Sequence, residues 1–487
     1  MLVTAIARMS RNRASAAVAR TRAIAAHMST STESAQLDQP VLFQSDGCGR
    51  TYVLNRAKKL NALNGEMINL LRPQLELWSK SDLCQMIIGT GLGRAFCAGG
   101  DVATVLKDSL DEATRPAAIQ FFKDEFELDY ILSQLPKPYV AVLDGITMGG
   151  GVGLAIGAPF RVATEKTVFA MPETKIGYCP DVGASYFMSR LDGEVGTYLA
   201  LTSETLVGRE VFEHGLATHY ISSRSIPSLS AHLAEFDTLS FHKINRAIEE
   251  LHAERQSDEP SGKLMGVVRH ALDSAFRHDS VEEILSSLET LSSSPDTRVN
   301  GWAKQTLETL HMRSPTSLKV ALSAIRRGKK MTLLEALQME MGIATAYCSG
   351  ASPDFRAGIS AVLIEKTQGR PAWSPDKVEG VSPDILDRFF SESSAYRSAA
   401  PRLALPDYLQ GRNLEPRFFA LPTESEIMQS ITSSCQKGPV VLSELLSDLD
   451  GLIKRKFGTK DKVLDIVHRR CEVVESQGTT LVTLKEQ

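Results

Sequence analysis

KPYVAVLDGITMGGGVGLAIGAPFRVATEKTVFAMPETKIGYCPDVG, residues 137 to 183, is the stretch that decides the fold. It opens on an unbroken apolar run, Tyr139 to Leu143, of the length of a strand buried on both faces. The chain then turns at Asp144-Gly145 and reaches Gly149-Gly150-Gly151 at the head of a small-residue helical segment. Glycines there let backbone approach a ligand where any Cβ would collide, and a helix start leaves N–H groups pointing outward. Downstream, Met171-Pro172 delivers Glu173, and Pro180 delivers Asp181. Backbone donors beside two carboxyls suit a reaction in which a carbonyl oxygen gains negative charge while a proton moves.

Outward toward the N-terminus the same pattern recurs. Gln85 to Gly89 reads as a short buried strand leading into a second glycine-rich loop, GLGRAFCAGGD at 91–101. Before it, Pro40 to Gln44 and Arg50 to Asn55 read as strands around the Asp46-Gly47 turn, and Gly65 to Lys80 as an amphipathic helix on Met67, Leu70, Leu71 and Leu75. A helix from Pro116 to Gln134 follows the second loop. Strand, glycine-rich loop and helix are thus met twice, which predicts a layered α/β core.

Toward the C-terminus the pattern turns helical, with periodic segments at Val281–Leu291, Trp302–Leu310 and Leu333–Cys348. Pro371 to Pro383 reads as a linker and Pro401 to Pro422 as irregular. Leu442, Leu445, Leu446, Leu449, Leu452 and Ile453 make one further helical face, and Val463, Leu464 and Val467 another. These predict a small, mainly helical appended subdomain.

The 487 residues are 43% hydrophobic and 23% charged, with a formal net charge of −4, so the chain as a whole carries no nucleic-acid footprint. Two local basic clusters, Lys454-Arg455-Lys456 and His468-Arg469-Arg470, could touch RNA phosphates or form ordinary solvated faces. No apolar run reaches the roughly 20 residues of a membrane span. The seven cysteines are scattered without metal-ligand spacing, which fits free thiols in a reducing compartment. Residues 1–32 hold five arginines and no acid. That composition predicts a mitochondrial transit peptide, the alternative being a disordered basic tail.

The motifs NRAKKLNALN, GRAFCAGGD, TMGGGVGL and AMPETKIGYCPDVG, in order and from roughly Val41 to Trp373, closely resemble the crotonase (enoyl-CoA hydratase/isomerase) superfamily. The longest run is similar to its 3-hydroxyisobutyryl-CoA hydrolase branch, the thioesterases of valine degradation. The resemblance implies an α/β spiral of ββα repeats at 38–235, a helical region at 236–389 completing it, and an extension at 390–487. It implies a mitochondrial matrix enzyme acting on an acyl-CoA substrate, with no metal or redox cofactor, since CoA is part of the substrate, and no membrane partner. Two alternatives come with it: a component of the mitochondrial small ribosomal subunit, and an enoyl-CoA hydratase or isomerase. Oligomeric state stays open.

The same resemblance assigns site residues. The N–H groups of Ala98 and Gly150 would form the oxyanion hole, unless both loops are merely tight turns. Glu173 would activate water or attack the thioester directly; otherwise it is a capping or surface glutamate before Thr174. Asp181 stands where hydratases have glycine, and Gly153 stands where they carry a second catalytic glutamate. This exchange disfavours hydration and offers Asp181 to the substrate's hydroxyl or to proton transfer, its other reading being the cap of a helix through Ala184 to Arg190. Glu125 matches a substrate-contacting glutamate, against the competing reading of a solvated acidic face with Asp124, Glu127 and Asp129. Lys58 and Leu60 match the loop that meets CoA. Cys97 and Cys179 lie inside motifs without a histidine partner and read as packing residues.

Overall fold

The computed structural model describes residues 38–485 apart from 237–239, 257, 413, 415 and 477–478. The transit-peptide expectation for residues 1–32 lies outside the described residues. Among those described, no helix is long and apolar enough to cross a membrane.

Two sheets grow together along the chain. The first has six strands in the order β1 (Val41–Asp46), β2 (Gly49–Leu54), β3 (Met86–Gly91), β5 (Tyr139–Leu143), β7 (Phe160–Ala163) and β10 (His219–Tyr220). β1 and β2 are an antiparallel hairpin, and every later pairing in this sheet is parallel. The second runs β4 (Ala95–Cys97), β6 (Ile146–Met148), β8 (Val168–Ala170), β9 (Leu206–Val207), with β4, β6 and β8 parallel. Each turn of the chain therefore adds one strand to each sheet and returns through a helix, the ββα spiral that the sequence implies. The apolar run Tyr139–Leu143 is buried at every position because both faces of the first sheet are covered.

The helical region follows. Its helices include Val281–Leu291, Thr297–Met312, Pro315–Gly328 and Leu333–Cys348, and each starts on a side-chain cap: Ser280, Asp296, Ser314 and Thr332. Thr332 and Glu335 form a reciprocal capping box, which accounts for the sharp start at Leu333. The Leu333–Cys348 helix packs along Arg115–Ser133, a helix of the spiral, and so closes one side of the core.

The described residues of 395–421 cross the body as an irregular strap, as the prolines imply. Ala404 N–H donates to Glu127 (2.6 Å), the Gln338 amide pairs with Pro401 and Leu403, and Gln134 holds Arg412 and Leu414. Leu409 and Leu421 are buried in the main core. The separate unit at the C-terminal end thus begins near Glu424 rather than at 390, with its own core of Ile427, Ile431, Leu445, Val463, Ile466, Val467 and Val482.

That unit is less helical than expected. After the helices Glu424–Ser434, Leu442–Asp448 and Thr459–Arg470, the chain forms β12 (Cys471–Ser476) and β13 (Thr479–Leu484). These pair antiparallel, and β11 (Val440–Val441) adds a third strand on the other side of β13. Valine and threonine crowd both segments, and their stiff β-branched side chains favour a pleated surface over a helix.

Buried charge docks this unit on the body. Glu424 accepts from Arg469 (2.8 Å) and Arg470 (2.7 Å), and lies 3.4 Å from Arg269 of the body. Lys462 pairs with Asp192 (2.6 Å), and Lys456 with Glu249. The two basic clusters are thereby largely spent internally: Lys456, Arg469 and Arg470 all serve ion pairs within the chain. Glu424→Ala removes the carboxylate shared by Arg269, Arg469 and Arg470, leaves Arg269 only Asp273 and Arg469 only Asp465, and should cost about 1–3 kcal/mol. Calorimetry should show a lower melting temperature, and limited proteolysis should show earlier cleavage within 423–485.

Candidate active site

β4 and β6 pair in parallel, with Ala95 opposite Ile146 and Cys97 opposite Thr147. Their C-terminal ends therefore release two glycine turns side by side. Gly99 (φ 109°) and Gly149 (φ 48°) occupy the left-handed region, and the backbones nearly touch. A Cβ placed on Gly150 would lie 3.2 Å from Gly100 N and 2.2 Å from Glu125 Oε1. A Cβ on Gly99 would lie 3.9 Å from Gly150 N. Gly150 opens the helix Gly150–Ile156, so its N–H has no intrahelical acceptor.

The second donor of this pair differs from the expected one. Ala98 N–H donates to the Leu60 carbonyl at 3.0 Å and is occupied. Leu60 (φ 51°) and Asn61 (φ 56°) are both left-handed, and the Asn61 amide is tied to Ala95 O (2.8 Å), which brings the Leu60 carbonyl over Ala98. Gly100 N–H, two residues on, is the one that borders Gly150. Lys58 lies exposed on the 3-10 turn Ala57–Lys59 at the outer rim of this loop, and Leu60 is half-buried behind it.

Glu173 follows β8 and begins the short 3-10 turn Glu173–Ile176. Its Oε1 faces Gly149, where a Cβ would come within 2.8 Å, and its Oε2 is buried without a hydrogen-bond partner. Glu125 comes from the middle of the helix Arg115–Ser133 and lays Oε1, also unpartnered, against Gly150. The two carboxyls thus flank the Gly149-Gly150 backbone. Asp181 accepts from the Tyr178 hydroxyl at 2.9 Å. Its side chain is not a helix cap: at the start of the helix Ala184–Phe187, Gly183 and Ser185 N–H go to Glu340 and Ala184 N–H to the Asp181 backbone carbonyl.

The solvated-face reading of Glu125 fails, because Glu125, Glu127 and Asp129 are all buried. Glu127 is structural, paired with Arg72 and Lys123. Asp129 belongs to the site and was missed from sequence. It sits one helical turn beyond Glu125, and neither of its oxygens has a partner. A Cβ on Gly153 would strike Asp129 Oδ2 at 2.5 Å, so position 153 has no room for a side chain. The i, i+4 spacing of Glu125 and Asp129 within an apolar helix face was the signal that could have found it.

Among the described residues, no lysine or arginine pairs with Glu125, Asp129, Glu173, Asp181 or Glu340. Burial, and then their mutual repulsion, holds the Glu125, Asp129 and Glu173 carboxyls well above the usual range. Burial and the neighbouring Glu340 push Asp181 up to about 8. Cys97 and Cys179 are buried, and burial drives the Cys97 thiol up to about 12, which suits packing and not nucleophilic attack. The arrangement offers two adjacent backbone donors for an oxygen that gains charge, with unpartnered carboxyls that can hold or accept a proton.

The profile of the enoyl-CoA hydratase/isomerase family matches residues 49–390. A small ribosomal subunit protein, mS47, of Neurospora crassa is 39% identical over 469 residues, covering 92% of this chain and 89% of that protein. The mitochondrial 3-hydroxyisobutyryl-CoA hydrolases of Xenopus tropicalis and Homo sapiens are 40% and 39% identical, covering 73% and 76% of this chain and 89% and 93% of their own. Among solved structures, a carnitinyl-CoA dehydratase from Mycobacterium thermoresistibile superposes with a TM-score of 0.66 at 29% identity, over 76% of this chain and 100% of that one. An enoyl-CoA hydratase from Rhodobacter sphaeroides superposes at 0.62 and 28% identity, over 72% and 97%.

The raised carboxyls make a stability prediction. Asp181 ordinarily ionises near 3.8 and here near 8, so folding favours its neutral form. That contribution is complete below about pH 4 and is lost as pH rises through 8. Asp181→Asn, neutral throughout, should therefore melt above the wild type at pH 8.5 by about 2 °C or more. The gap should close toward pH 4 in differential scanning calorimetry.

Proposed function

Because the chain belongs to the enoyl-CoA hydratase/isomerase family, we propose that its site hydrolyses an acyl-CoA thioester, 3-hydroxyisobutyryl-CoA, to 3-hydroxyisobutyrate and CoA. One observation carries the reading: the Gly100 and Gly150 backbones approach each other beside Glu173, whose buried Oε2 has no hydrogen-bond partner. In this reading the thioester oxygen lies on the two N–H groups, which stabilise it as the carbonyl carbon becomes tetrahedral. Glu173 takes the proton of the attacking water, or itself attacks to give an anhydride that water then opens. The C–S bond breaks as the carbonyl re-forms. CoA leaves as a thiolate whose pKa, near a free cysteine's at roughly 8.5, needs little acid assistance. Asp181 and Glu125 meet the acyl group, Lys58 and Leu60 the CoA, and no metal or redox cofactor enters.

Hydration of a double bond is disfavoured because a second carboxylate on the Gly150–Ile156 helix has no room at position 153. The hydrolase relatives carry mitochondrial names. With the acid-free residues 1–32, this supports a matrix location.

A second reading, a place in the mitochondrial small ribosomal subunit, is favoured by a separate observation. The Neurospora relative covers 92% of the chain and so reaches into the unit after Glu424, whereas the two hydrolases leave about a quarter of the chain unmatched. The complete site supports catalysis persisting beside such a role.

The test is thiol release from 3-hydroxyisobutyryl-CoA by protein lacking residues 1–32, with crotonyl-CoA hydration as control. Glu173→Gln should lower kcat about 100-fold or more. Absence of thiol release by folded wild-type protein would sink the thioesterase. Co-sedimentation of the full chain with mitochondrial small subunits in high salt checks the second reading.

A further inference from the structure

Asp181 opens a turn closed by one backbone hydrogen bond, from Ala184 N–H to the Asp181 carbonyl at 2.8 Å, across a strained pair of residues. Val182 sits at φ 53° and Gly183 at φ 88°. A left-handed backbone is easy for glycine but strained for a β-branched residue, and such a conformation persists only where its surroundings support it. The turn leaves the N–H groups on either side of Ala184, those of Gly183 and Ser185, to be met by an acceptor from outside it.

The acceptor comes from 157 positions further along the chain. Glu340, buried on the Leu333–Cys348 helix, takes Gly183 N–H at 2.6 Å on Oε2. Its Oε1 takes Ser185 N–H at 2.9 Å and the Ser185 hydroxyl. Charge-assisted bonds of this kind are roughly twice as strong as neutral ones. The helix that carries Glu340 is itself fixed by its Thr332–Glu335 capping box and by packing against the helix of Glu125 and Asp129.

Other neighbours only wall the turn in. Gly153 lies so near Val182 that a Cβ there would meet Val182 Cβ at 2.7 Å, and Gly328 presses on Ser185. Asp181 itself receives one side-chain hydrogen bond, from Tyr178.

We propose that Glu340 is the positioning residue for Asp181: by binding Gly183 and Ser185 it imposes the strained Asp181-Val182-Gly183 turn that aims the Asp181 carboxyl into the site. Glu340 does not touch the substrate. The inference rests on the functional reading above, in which Asp181 meets the acyl group, and it gives the helical region a part in the chemistry.

Glu340→Gln keeps the shape but replaces one acceptor oxygen with an amide that cannot accept, so at least one of the bonds is lost. The experiment measures thiol release from 3-hydroxyisobutyryl-CoA by wild type, Glu340→Gln, Asp181→Asn and the double variant. It is paired with amide-exchange mass spectrometry on the peptide spanning 181–187. Glu340→Gln should lower kcat about tenfold with KM changed less than twofold, and should speed exchange in that peptide. In the double variant kcat should equal that of Asp181→Asn within twofold, because a residue acting through Asp181 has nothing left to act on. Additive losses, or unchanged exchange in Glu340→Gln, would overturn the inference whatever the enzyme's activity. If Asp181→Asn alone leaves thiol release intact, the site reading itself fails, and the unchanged kcat identifies that failure separately.

Discussion

The parallel pairing of β4 with β6 is the constraint on which the rest depends. Two short strands run the same way, with an irregularity between Ala95 and Cys97 that sets Cys97 opposite Thr147, and both lead into glycine turns. Only residues without Cβ can then share the space, since a methyl group on Gly150 would lie within 3.2 Å of Gly100 N and against the Glu125 carboxyl. The donor pair is a consequence of this closeness. Backbone amides fixed in that way need no reorganisation when charge appears opposite them, which is why such a pair can outweigh any single side chain in stabilising an oxyanion.

Around that pair the molecule keeps acids where a stability-optimised core would keep leucines. Glu125, Asp129, Glu173 and Asp181 are buried, several of their oxygens have no partner, and no cation offsets them among the described residues. Such groups remain neutral or share protons, because ionising one in the company of others is costly in a dry interior. Native proteins tolerate this where function requires it. The helical region makes the tolerance possible. It supplies the wall that keeps water out, and it supplies Glu340, whose oxygens satisfy backbone donors that a sharp turn would otherwise leave exposed.

The unit after Glu424 is attached by different physics. It has its own apolar core, but its seam with the body is ionic, with Glu424, Lys456 and Lys462 each meeting an opposite charge across the join. A seam of this kind specifies orientation more than it adds stability, since desolvating each ion offsets much of the attraction. A unit held in one orientation on this body is compatible with both proposed roles, because neither its core nor its seam draws on the residues of the candidate site.

Local pattern was enough to read the order of strands, glycine loops and helices, the Leu333–Cys348 helix to the residue, and the motifs that carry Gly150, Glu173 and Asp181. Periodicity and cap chemistry act over a few residues, so they are written in the sequence itself. Tertiary structure decided what depends on distant segments meeting. It turned Ala98 N–H toward Leu60 and left Gly100 beside Gly150, because a motif names a loop but not where each N–H points. It brought Asp129 and Glu340 into the acidic cluster, converted Lys456 and Arg469 from a basic surface into buried partners, and paired β12 with β13. Burial and hydrogen-bond destination are properties of two segments at once, and one sequence read locally shows only one of them.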